Sequence, residues 1–162
     1  MKTLQPTWDE IEKLTYDICD QMANNFDRPQ YLIALMRGGL VPARIMADYF
    51  NISSDFQVLP VKSYENYTKR GKVKITANFD LSVIQGQRVI VMDDLLDSGN
   101  TVRDVRKYLM THKPASLKVA ALYWKDCSKE IPDYYAEKTP SDLWLTFPWE
   151  KKEFGRAKLS EK

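Results

Sequence analysis

Three carboxylates and a run of small polar residues sit close together in the string Asp93-Asp94-Leu95-Leu96-Asp97-Ser98-Gly99-Asn100-Thr101. Before them stand Val89, Ile90, Val91 and Met92, an apolar run of the kind that forms a strand covered on both faces. Asp is depleted in strands and costly to bury unpaired, so packing gives no reason for this sequel. A bound ligand does give one. Gly99 permits positive φ, and in a strand-to-helix turn over Asp97 to Thr101 successive backbone N–H groups can point inward around an anion. Ser98 and Thr101 add hydroxyl donors, and the helix that follows presents its positive end. Hydrogen bonds to a charged group contribute about 1.5–3 kcal/mol each, against about 0.3–1 kcal/mol from a helix dipole, so the donors dominate the grip on a phosphate.

Asp93 and Asp94 cannot hold that phosphate, because like charges repel. Neighbouring carboxylates upstream of an anion seat suit sugar hydroxyls, or a Mg²⁺ ion that prefers oxygen ligands. A phosphate at the turn with ribose hydroxyls one short step back satisfies both. The spacing matches neither the Gly-x-x-x-x-Gly-Lys-Ser/Thr loop of nucleotide hydrolases nor Gly-x-Gly-x-x-Gly. A plainer reading leaves Asp93 and Asp94 as solvated loop residues and makes Asp97 a helix N-cap.

The elements that must position these residues follow from periodicity. Thr7-Trp8-Asp9-Glu10 reads as a capping box, and Ile11, Leu14, Ile18 and Met22 then recur at helical spacing. Tyr31 to Met36 reads as a buried strand entering the glycine loop Arg37-Gly38-Gly39, and Pro42 suits the first turn of the next helix. Phe56 to Val61 is another strand. Ser63 to Lys74 is a polar, basic excursion, from which Ile75, Ala77, Phe79 and Leu81 return with strand alternation. Val89 to Met92 and Leu117 to Leu122 are further strands around a helix carrying Val102, Val105 and Leu109, and Pro132 to Glu150 is a less regular, aromatic-rich end. Strands alternating with helices imply an α/β fold with a mostly parallel central sheet flanked by helices. Ligands in such sheets bind beyond the carboxyl ends of the strands, where the Arg37-Gly38-Gly39 loop and the Asp93-to-Thr101 loop both fall.

With 162 residues, 44% hydrophobic and 28% charged, the chain suits one globular domain. No apolar run reaches the ~18 residues of a membrane helix, and the start lacks a signal-peptide layout, so a cytoplasmic protein without stable membrane insertion is expected. Cys19 and Cys127 read as free thiols, and His112, the only His, reads as a helix-end residue. A net charge of +2 gives no argument for nucleic acid.

The string at Val89 to Thr101 resembles the phosphoribosyl-diphosphate motif of type I phosphoribosyltransferases, with Ser98 where Thr is commoner. The resemblance runs from Trp8-Asp9 to about Glu150 and is nearest to the short bacterial and archaeal 6-oxopurine enzymes. In their pattern Arg37-Gly38-Gly39-Leu40-Val41-Pro42 is the pyrophosphate loop, Ser63-Tyr64 opens a mobile flap, and Asp142 to Glu150 is the purine-binding end. The family often has a cis peptide before that Arg. Met36 is bulkier than the small residue expected there, which leaves the bond open.

The resemblance implies one domain over 1–150, with a flap at about 63–82, a purine-binding hood at about 125–150 and a charged tail at 151–162. It implies that phosphoribosyl diphosphate is held by Arg37, Gly38, Arg70, Asp93, Asp94, Asp97, Ser98, Gly99, Asn100 and Thr101, with Mg²⁺ on Asp94. The purine is read by Asp97, Lys125, Trp144 and Leu145, and Asp97 is the general acid/base near purine N7. The adenine branch usually has Ala at the Asp97 position. A Lys only donates, so Lys125 would favour a 6-oxo over a 6-amino purine. The reaction implied is purine salvage: guanine, xanthine or hypoxanthine takes the 5-phosphoribosyl group, giving a nucleoside monophosphate and diphosphate. The family also implies a homodimer or homotetramer. Two alternatives remain, an enzyme for another base and a regulator of this fold that senses phosphoribosyl diphosphate and binds RNA.

Overall fold

The computed structural model describes residues 2–25, 27–63, 73–77 and 79–150. In chain order its elements are β1 (Lys2–Leu4), α1 (Trp8–Asn24), β2 (Tyr31–Met36), α2 (Leu40–Tyr49), β3 (Phe56–Ser63), β4 (Val73–Ile75), β5 (Arg88–Leu96), α3 (Asn100–Met110), β6 (Ser116–Lys125), β7 (Tyr134–Thr139) and β8 (Leu143–Leu145). A single 3-10 turn, Leu81–Ile84, precedes β5. Six strands form one sheet in the order β4-β3-β2-β5-β6-β7, parallel throughout except where β4 pairs with β3. This is the mostly parallel, helix-flanked sheet that the strand–helix alternation implies.

The two central strands show why their sequences carry no polar interruption. Successive side chains of a strand leave on opposite faces. Leu32, Ala34, Ile90 and Met92 enter the core beneath α1 and α2, with Ile11, Ile18 and Met46. Tyr31, Ile33, Leu35, Val89 and Val91 enter the core beneath α3, with Val102, Val105 and Leu109. Helix α1 starts at the expected capping box: Thr7 Oγ1 accepts the Glu10 N–H at 3.2 Å, and Glu10 Oε2 accepts the Thr7 N–H at 2.7 Å.

Several expectations need correction. Strand β5 does not stop at Met92. Asp93, Leu95 and Leu96 stay in register with Ala121, Tyr123 and Trp124 of β6, so Asp93 and Asp94 lie on the last turns of a strand rather than in a loop. The connection to α3 is only Asp97 to Gly99. The alternation from Ile75 to Leu81 is not one strand, because Asp80 accepts the Ser82 N–H at 2.9 Å and its hydroxyl at 2.7 Å, starting the 3-10 turn that buries Leu81 and Ile84. The end of the chain is more regular than its composition suggests, since β7 extends the main sheet. Strands β1 and β8 form a separate parallel pair joining the two ends of the described chain.

Candidate active site

The carboxyl ends of β2 and β5 carry the two loops singled out by the sequence, and the structure packs them against each other. The Met36–Arg37 peptide is cis. Beyond it the Gly39 N–H donates to Leu35 O at 3.0 Å, folding the loop back onto β2. A Cβ on Gly38 would lie 1.8 Å from Asp94 Oδ2, and one on Gly39 would lie 2.3 Å from Met92 O. Only glycines allow this loop to rest directly on the end of β5.

Between them opens a cleft of about 500 Å³ lined by Arg37, Gly38, Asp93, Asp94 and Thr101, all expected ligand residues. Trp149 and Glu150 complete its wall from the chain's far end. Asp94 donates its N–H to Asp93 Oδ1 at 3.0 Å, so the two carboxyl groups sit side by side. Burial, followed by the Asp94 charge, pushes the Asp93 carboxyl well above the ordinary range. Burial also raises Asp94, and the Glu150 carboxylate adds to the rise, bringing it to about 6. Both shifts disfavour the charged forms of these two carboxyl groups.

The turn after β5 is the expected strand-to-helix turn. Gly99 takes φ 80° and stands at the N-cap of α3 without a side-chain capping bond. The plainer reading of Asp97 as an N-cap is thereby overturned: the helix begins at Asn100, beyond its reach. A Cβ on Gly99 would meet Ser128 Oγ at 2.7 Å and Glu130 N at 2.8 Å, because the segment after β6 folds over the turn. Lys129 N–H donates to Ser98 O at 3.2 Å and fastens that segment down. Asn100 Oδ1 accepts from Arg103 Nη1 at 3.1 Å, which commits its side chain within the helix.

Asp97 points instead toward the end of β6. Lys125 Nζ lies 3.3 Å from Asp97 Oδ1, with the lysine side chain about 10% exposed and the aspartate 61%. Two of the four residues expected to read a base thus meet, one in the turn just after β5 and the other at the end of the adjacent parallel strand β6. Trp144 stands on β8 with 44% of its surface exposed, and Leu145 beside it is buried. Neither lines the cleft described above. Arg70, expected over the diphosphate, lies outside the described residues, as do residues 64–72 of the expected flap and the tail 151–162.

Glu150 is the residue that sequence reasoning missed. Its Oε2 accepts the Phe147 N–H at 3.0 Å, while its own N–H donates to Phe147 O at 3.0 Å, closing a turn with Pro148 second. That Pro in a four-residue segment ending in a carboxylate was the available signal. Trp149 stacks on Phe147 at 4.8 Å, as a packing residue would, yet its buried indole N–H has no hydrogen-bond partner among the described residues.

Comparison with known proteins matches residues 2–157 to the family described as Phosphoribosyl transferase domain. The chain is 28% identical over 144 residues to a xanthine-guanine phosphoribosyltransferase of Chromohalobacter salexigens, covering 89% of this chain and 82% of the relative. It is 29% identical over 146 residues to one of Idiomarina loihiensis, covering 89% and 84%. A crystal structure of a purine phosphoribosyltransferase from Pyrococcus horikoshii Ot3 superposes with a TM-score of 0.79 at 26% identity, covering 92% of this chain and 94% of that one.

Proposed function

Since the chain belongs to the phosphoribosyltransferase family, we propose that it transfers the 5-phosphoribosyl group of phosphoribosyl diphosphate to a 6-oxopurine, releasing diphosphate. The observation that carries the substrate class is the contact between Lys125 and Asp97 beside the anion turn. Lys125 offers only donors, which match a 6-oxo group and leave a 6-amino group unpaired. Asp97 accepts the proton of the purine's neighbouring ring nitrogen as the glycosidic bond forms and gives it up to solvent after the nucleotide leaves, an effect of about 10²–10⁴ in rate.

Main-chain N–H groups of Ser98 to Thr101 hold the 5-phosphate at the start of α3. Arg37 and the N–H groups of its loop hold the diphosphate and draw charge from it as it leaves. Asp93 and Asp94 accept from the ribose hydroxyls. The flap, with Arg70, closes over the diphosphate and keeps water from the ribosyl carbon. Mg²⁺ suits Asp94 at this cleft: the ion takes one or two carboxylates together with substrate phosphates and water, so it needs no cluster of three protein ligands, and none is present among the described residues. Asp94 would hold it, and when bound it would neutralise charge on the diphosphate.

The test is turnover with phosphoribosyl diphosphate, Mg²⁺ and guanine, hypoxanthine, xanthine or adenine in parallel. At least one 6-oxopurine is expected to react at 10²-fold or more the adenine rate, and Asp97→Asn to lower kcat at least tenfold while KM for phosphoribosyl diphosphate stays within about threefold. Equal use of adenine, or normal turnover in the variant, contradicts the assignment.

A further inference from the structure

Strand β8 is three residues long and stands apart from the main sheet. Among the described residues its strand partner is β1, in the register Lys2↔Leu143, Thr3↔Trp144 and Leu4↔Leu145. A three-residue strand has too few hydrogen bonds to hold its own geometry in water. Yet β8 carries Trp144 and Leu145, the two residues that the family resemblance assigns to the purine beside Asp97 and Lys125.

We propose that β1 is a positioning element for base recognition, with Leu4 as its positioning residue. Leu4 O accepts the Thr146 N–H at 3.0 Å, and the Leu4 side chain packs on the core that buries Leu145 and Phe147. The strand is itself anchored from behind. Three residues after Leu4 the capping box at Thr7 fixes the start of α1, and the Trp8 ring lies 5.8 Å from Trp149. Trp149 stacks on Phe147, so both ends of β8 are tied to the first eight residues of the chain. The anion turn, by contrast, is built from β5, α3 and the segment after β6, with no contribution from β1. Disturbing β1 should therefore blur the base subsite and spare the phosphate seat.

The inference rests on the proposed function, and its test separates the two. Affinities for guanosine monophosphate and for ribose 5-phosphate are measured by calorimetry on wild type, Leu4→Ala and Leu4→Ile, with thermal melting to verify that each is folded. The ratio of the two affinities reports the base contribution alone. Leu4→Ala is expected to lower that ratio about tenfold with ribose 5-phosphate affinity within twofold, and Leu4→Ile to restore it. If Leu4→Ala does not fold, the milder Leu4→Val carries the comparison with an expected loss of about threefold. A folded variant whose ratio is unchanged, or whose two affinities fall together, overturns the positioning role. A wild type that binds guanosine monophosphate no better than ribose 5-phosphate overturns the purine reading, and this inference with it.

Discussion

Asp94 meets two opposing demands. Its half-buried carboxyl rests close against the Cα of Gly38 and faces the charge of Glu150 across the cleft. Both raise its pKa, burial more than Glu150, from an ordinary 3.8 to about 6. A carboxyl that holds its proton more tightly in the folded protein than in the unfolded chain stabilises the fold fully below the unfolded value. That stabilisation is lost as pH climbs through the folded value. The difference corresponds to about 3 kcal/mol. Asp93 rises too and titrates with it, so the pair sets the window. Glu10, Asp27 and Asp80 are held below their ordinary values and act in the opposite sense at lower pH, so the useful quantity is a difference between proteins. Urea unfolding of the ligand-free protein at pH 4 to 7 should show wild type losing stability relative to Asp94→Asn as pH rises. Parallel curves would mean that this carboxyl is ordinary. The site thus favours the charged form only when a cation or ribose arrives.

At the level of elements, two glycines with positive φ allow strain and crowding to be told apart. Gly86 takes φ 71° with nothing within 4 Å of a built Cβ, whereas Gly99 takes φ 80° against Ser128 and Glu130. Placing Ala in left-handed backbone costs about 1–2 kcal/mol. Gly86→Ala should cost that and leave ligand binding alone. Gly99→Ala should cost measurably more, because the Glu130 backbone has to move, and should weaken ribose 5-phosphate binding at least tenfold. Chemical unfolding with calorimetry of both variants decides it, and equal effects would mean that the segment after β6 does not clamp the turn. This clamp was not legible in the sequence. The turn itself was, because a glycine among small polar residues after a covered strand signals a strand-to-helix turn at positive φ locally. What closes over it is set by tertiary contact from residues almost thirty positions away. The same distinction explains the other outcomes. Capping at Thr7 and the apolar run Val89 to Met92 are local, and both were read correctly. The continuation of β5 through two aspartates depends on pairing with β6, and three-residue β1 depends wholly on β8. Lys125 and Asp97 were named by resemblance, but their meeting requires the parallel register of two strands joined by a helix.

Taken as a whole, the molecule separates stability from chemistry. Two cores fill the faces of the sheet, and the expected ligand residues Arg37, Gly38, Asp93, Asp94 and Thr101 line a cleft at its carboxyl edge, whose floor sets two half-buried carboxyl groups among apolar side chains. Such a floor opposes folding until a ligand covers it, so ligand binding and global stability should be tightly linked. Binding to the native state alone at a hundred times Kd adds about 2.7 kcal/mol. For a chain of this length, one kcal/mol moves the melting temperature by about 2–4 °C. Phosphoribosyl diphosphate with Mg²⁺ at that excess should therefore raise the melting temperature by about 5–11 °C. Leu32→Ala removes a fully buried side chain from the core beneath α1 and α2, away from the cleft, and costs about 2–5 kcal/mol. Because the substitution is remote from the ligand residues, its cost and the ligand's contribution should add. Saturating ligand should then raise the Leu32→Ala melting temperature by the same increment that wild type shows, offsetting about half or more of the loss caused by the substitution. A smaller increment in the variant would mean that core and cleft are coupled through the sheet, and no increment in either protein would mean that the cleft does not bind this ligand.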